Sequence, residues 1–108
     1  MSVLTIRSHK RYALRQSVRL SAPGLRAARG LLIELSAEGC RVSGLPDVRL
    51  AAGAPVTLRI DADLALEAQV RWTREGIVGL RLVRPLHRAR LEELLALCRG
   101  PETRRYGT

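Results

Sequence analysis

From Gln16 onward, apolar and polar side chains alternate. Val18, Leu20 and Ala22 interleave with Ser17, Arg19 and Ser21, the period of a strand with one buried face. Pro23-Gly24 marks a turn. Arg29 to Leu35 reads as a second strand with Leu31, Ile33 and Leu35 on its inner face, which leaves Glu34 on the opposite face with Leu32. Ser36 to Gly39 is a turn, and Cys40 and Val42 begin a third strand. Gly44-Leu45-Pro46 and Ala51-Ala52-Gly53 bracket a longer irregular connection. A fourth strand carries Val56, Leu58 and Ile60 inward and is stopped by Asp61-Ala62-Asp63. A fifth places Leu66, Ala68, Val70 and Trp72 on one face, Glu75-Gly76 turns the chain, and a sixth buries Val78, Leu80 and Leu82. Six short strands punctuated by turn signals predict a mainly β fold, a small six-stranded antiparallel β-barrel.

After Arg84-Pro85 the period lengthens. Leu91, Leu94, Leu95 and Cys98 recur at helical spacing, with Leu86 and Leu97 nearby. Pro85 suits a first turn and Gly100-Pro101 a stop, so one C-terminal α-helix is expected to cover an open barrel end. Residues 1–15 have no clean period and read as a basic arm or switch loop. Residues 16–100 make the barrel with its helix, and 101–108 a mobile tail.

The 108 residues suffice for one domain with one core. No apolar run is long enough to span a bilayer, and Met1 to Lys10 lacks the apolar stretch of a signal peptide. Cys40 and Cys98 lie in apolar patterns and read as reduced core thiols of a cytoplasmic protein. The net charge of +9 is unevenly placed: residues 1–33 hold seven Lys and Arg and no acid, leaving 12 cations against all 10 acids in the remainder. An anionic partner near the N-terminal third follows from that asymmetry.

Two short patterns sharpen the expectation. Arg11-Tyr12-Ala13-Leu14-Arg15 sets two guanidinium groups four residues apart with no acid between them. Arginine forks grip phosphate bidentately and lie flat on bases. Glu34-Leu35-Ser36-Ala37-Glu38-Gly39 then supplies a carboxylate, a hydroxyl and a glycine around a turn. In order and separation these resemble the R-x-x-x-R and [D/N]-x-S-x-x-G motifs of the PilZ domain, the bacterial receptor module for cyclic di-GMP, with Glu34 where the family has Asp or Asn. The segment VRWTREGIVGLRLVRP is similar to the family's closing hairpin, so the likeness covers most of the chain.

The resemblance implies a stand-alone receptor. Arg11 and Arg15 would hold the phosphates and stack on or hydrogen-bond the guanines. Glu34 would read a guanine edge, Ser36 would help to seat the ligand, and Gly39 would allow a close approach. Closure of the arm over the ligand would signal to a downstream effector protein. Glu34 either reaches the same donors with a shift or pairs with Arg11 or Arg15. Lys10 is a candidate extra phosphate contact; Arg41 and Arg81 are secondary candidates whose default is solvation. Trp72 reads as core by its alternation, with a stacking platform for guanine as the alternative. Arg7 and His9 read as solvated.

No catalytic constellation, metal-ligand spacing or phosphate-binding loop is present, so an enzyme is the least expected class and no cofactor is expected. Two further readings stand beside the receptor: an interaction adaptor of the same fold that no longer binds nucleotide, and a basic barrel that binds RNA or DNA without specificity. A chain whose aromatic residues are Tyr12, Trp72 and Tyr106 alone lacks a stacking surface for several bases, which counts against the last. Membrane insertion is not expected, and a monomer and a homodimer fit equally.

Overall fold

A computed structural model describes residues 10–45 and 50–107, with the last nine of these as backbone only. Strand β1 spans Tyr12–Ala22, β2 Leu25–Leu35, β3 Gly39–Ser43, β4 Pro55–Asp61, β5 Leu64–Arg74 and β6 Ile77–Leu82, and helix α1 spans Arg88–Gly107. The strands close into an antiparallel barrel in the order β1-β2-β3-β6-β5-β4, with β4 returning to β1. Closure is continuous but uneven: β1 meets β4 only over Arg19–Ser21, and β2 meets β3 only over Leu31–Leu35.

The barrel interior is the core. Leu32, Leu35, Val42 and Leu58 are fully enclosed, with Val18, Leu20, Val56, Ile60, Val70, Val78, Leu80 and Leu82 around them. Leu94, Leu95 and Cys98 of α1 join the same cluster, so the helix covers the barrel as its spacing predicts. His87 starts it: the Arg90 N–H donates to His87 Nδ1 at 3.3 Å and the Leu91 N–H to His87 O at 3.0 Å, satisfying donors that a helix start leaves open. The β5–β6 hairpin turns on Glu75 and Gly76, both with positive φ (50° and 80°), the pairing that a tight two-residue hairpin demands.

Both cysteines are free and buried. Burial pushes the Cys40 thiol up to about 12. It also raises the Cys98 thiol, with a smaller contribution from the charge of Asp61. No helix among the described residues is long and apolar enough to cross a membrane.

Four local expectations are corrected. β1 begins at Tyr12 rather than Gln16, and Leu14 already faces the core, so Arg15 belongs to a barrel strand. In β2 it is Leu32, not Leu31 or Ile33, that faces inward with Leu35. The reason is a bulge: Leu32 pairs with Val42 and Glu34 with Arg41, so Ile33 has no partner on β3 and the alternation breaks there. A second bulge at Arg71, between the pairs Val70↔Leu80 and Trp72↔Gly79, takes Trp72 out of the core. Finally, α1 passes Gly100-Pro101 and continues to Gly107. Proline forfeits one ladder bond, but its φ of about −65° is helical. The readings of Arg7 and His9 fall on residues 1–9, outside the described residues.

Candidate functional site

The two bulges build one outward-facing row. Ala13 of β1 pairs with Glu34 of β2, Glu34 with Arg41 of β3, Arg41 with Gly79 of β6, and Gly79 with Trp72 of β5. Across this row Arg41 Nε lies 3.2 Å from Glu34 Oε1, and the Arg41 guanidinium sits 5.4 Å from the centroid of the Trp72 ring. The carboxylate therefore pairs with Arg41, not with Arg11 or Arg15. The ion pair is partly exposed, 43% for Arg41 and 27% for Glu34, so it contributes about 0–1 kcal/mol and mainly fixes where the two groups point. The cation–π contact adds about 0.5–1 kcal/mol.

Trp72 is 36% exposed and lies over Gly79. A Cβ on Gly79 would run into the indole at Cε2, Nε1 and Cζ2. The glycine thus makes a seat for the ring, which lies at the surface and not in the core.

One step along the barrel lies a second outward row, Gly39↔Arg81↔Gln69. Gly39 closes the Ser36–Gly39 turn. Ser36 N–H donates to Gly39 O at 2.8 Å, and Ser36 Oγ accepts the Gly39 N–H at 3.1 Å and the Glu38 N–H at 3.3 Å. The Ser36 hydroxyl also donates to Gly39 O at 3.2 Å. The serine is first of all a clamp on its own turn. A Cβ on Gly39 would meet Leu80 O of β6, so this glycine is set by backbone approach rather than by an unusual φ. The turn is also tied to the barrel's exit, because Leu82 N–H donates to Glu38 O at 2.8 Å and Leu86 N–H to Ala37 O at 2.7 Å.

Lys10 and Arg11 are exposed and precede β1; Arg15 is exposed on its outer face, beside the bulge opposite Ile33. Arg11 and Arg15 flank Ala13, the first member of the Glu34 row, and so stand on either side of that row. Neither forms an ion pair with another described residue. Glu34, Ser36, Gly39, Arg41, Trp72 and Arg81 therefore come together on one face, with Arg11, just ahead of β1, and Arg15, on β1, at its border. Sequence reasoning missed the Glu34–Arg41–Trp72 chain of contacts. One signal pointed to it: a glycine in the middle of a strand marks a close approach, and Gly79 is the seat of the ring. Gln69, outward beside Arg81, carried no signal. Among the described residues no His, Cys, Asp and Glu cluster could hold a metal ion.

The architecture is thus a closed antiparallel barrel of six strands covered by one helix, with a polar, arginine-bearing face. The family model for the PilZ domain matches residues 5–100, and the chain belongs to the PilZ domain family. Among solved structures it is similar to the PilZ domain of CeSA from a cellulose-synthesizing bacterium, with 21% identity and a TM-score of 0.63, over 86% of this chain and 98% of that one. No curated protein matches it.

Proposed function

We propose that the protein is a cytoplasmic receptor for cyclic di-GMP, holding the dinucleotide between the Arg11–Arg15 segment and the outward face of β2, β3, β6 and β5. The observation that carries the reading is the convergence of the Glu34–Arg41–Trp72 row and the Ser36–Gly39 turn beside two arginines that form no ion pair with another described residue. Arg11 and Arg15 grip the phosphates, with Lys10 as a further cation. Trp72 and the Arg41 guanidinium offer flat faces for a base. Glu34 accepts guanine N–H donors once it shares or releases Arg41, and Arg81 borders the base beside Gly39. The segment ahead of β1 that carries Lys10 and Arg11 closes over the ligand against Arg15, which stays on the barrel wall, and a partner reads the closed form.

Calorimetric titration of cyclic di-GMP into the wild type and into Arg11→Ala/Arg15→Ala tests this, with GTP as control. Saturable binding by the wild type, lost in the variant and absent for GTP, is the expected result. Affinity should fall as salt rises, because phosphates are being neutralised. An arm equally open to protease with and without ligand counts against closure.

One observation favours a second reading, an adaptor of this fold that does not bind nucleotide: the Glu34 carboxylate is already engaged by Arg41 at 3.2 Å. A folded wild type that gives no heat with cyclic di-GMP selects the adaptor.

A further inference from the structure

On a different part of the wall the barrel carries a second basic surface. Arg19 of β1 pairs directly with Arg29 of β2 on one side and with Arg59 of β4 on the other. All three are exposed on the outer face, and no described carboxylate forms an ion pair with any of them. They line a shallow concavity of about 340 Å³ together with Ser17, Asp61 and Ala62. Asp61 also lines the concavity, and its Oδ1 accepts the Asp63 N–H at 2.8 Å, so the three arginines outweigh one carboxylate there. Arg59 is steadied toward the concavity's rim by donating to Ala62 O at 3.2 Å.

Like charges directly opposite each other on a sheet oppose folding. All three in this cross-strand row are exposed and none is neutralised by a described carboxylate; Arg59 alone has an internal partner, the neutral Ala62 O. This row also lies off the nucleotide face: Arg29 is five residues from Glu34 along β2, roughly 17 Å at strand rise.

From this we infer that the Arg29–Arg19–Arg59 row is a docking site for an acidic helical segment of a partner protein. Neighbouring strands lie about 5 Å apart, so the row presents guanidinium groups at close to the spacing of carboxylates on one helix face at i and i+4, about 5–6 Å. Arginine forks take carboxylates bidentately. Nucleic acid fits less well. Three cations neutralise few phosphates, and no aromatic ring lines the concavity to stack a base. The inference does not rest on cyclic di-GMP binding, because none of these arginines lies on the nucleotide face.

The test is fluorescence anisotropy with a labelled alanine-based helical peptide of about 20 residues bearing glutamate at every fourth position. Its glutamine counterpart and an oligothymidine serve as comparison probes, and the full chain is used throughout. The wild type should bind the glutamate peptide saturably and the glutamine peptide at least about tenfold more weakly. Arg19→Ala/Arg29→Ala/Arg59→Ala should lose at least about tenfold, while Arg74→Ala/Arg84→Ala/Arg88→Ala, which removes equal charge elsewhere, should not. Relief of the like-charge row should also raise the thermal midpoint of the first triple variant by about 2–5 °C, which shows that it is folded. Equal loss in both triple variants would reduce the surface to general charge attraction and overturn the proposal. So would tighter binding of oligothymidine than of peptide, or no saturable peptide binding by the wild type.

Discussion

Gly39 and Gly79 sit on neighbouring outward rows, yet they refuse a β-carbon for different reasons. At Gly39 the obstacle is Leu80 O, a backbone atom held in the β3–β6 ladder. The ladder itself must shift, so Gly39→Ala should destabilise the fold by about 1–3 kcal/mol, read as a lower urea midpoint. At Gly79 the obstacle is the Trp72 indole, a partly exposed side chain that can swing outward. Gly79→Ala should therefore cost under about 1 kcal/mol while moving the tryptophan emission to longer wavelength as the ring loses Arg41 and its seat. A large stability loss without a spectral shift would mean that the ring is pinned by something other than the glycine seat.

Among the elements, α1 offers the cleanest contrast. Leu94 is 1% exposed and Leu97 is 50% exposed, although they stand only three positions apart on one helix. Leu94→Ala should cost about 2–4 kcal/mol; Leu97→Ala should stay within about 0.5 kcal/mol. Both are measured by denaturant unfolding. The helix start is also improvable. Its first turn has no acidic residue, and histidine accepts the Arg90 N–H where a carboxylate would accept it better. His87→Asp should stabilise by about 0.5–1 kcal/mol, seen as a higher thermal midpoint.

The strands show what a sequence can and cannot convey. The two-residue period located all six strands and most of their inward residues, because burial on one face of a regular strand leaves that period behind. It failed at Ile33 and Arg71, where one extra residue shifts the phase; nothing at Ile33 announces the shift, and near Arg71 the one signal is Gly79 across from Trp72. Those two bulges aim Glu34 and Trp72, so the period was least legible where the candidate site lies. The motif residues Arg11, Arg15, Ser36 and Gly39 were legible by order and spacing. The pairing of Glu34 with Arg41 was not, since it depends on which residues face each other across β2 and β3.

For the molecule as a whole, the fate of the buried thiols sets an alkaline limit. Cys40 is raised from the ordinary 9.0 to about 12 by burial. In the unfolded chain the thiol ionises first, so the stabilisation is complete below 9.0 and is lost as pH rises from there toward about 12. Cys98 acts in the same direction. Urea midpoints should decline across that window, and in Cys40→Ala the decline should be shallower, by up to about 1.4 kcal/mol per pH unit. An unchanged slope would mean that ionisation elsewhere dominates the alkaline transition.

The hydrogen bonds from Leu86 to Ala37 and from Leu82 to Glu38 have a mechanical consequence. The turn after β2 and the segment leading into α1 are bolted together at two points, like a bracket rather than a string. The two ties hold the Ser36–Gly39 turn and the approach to the helix at a fixed separation.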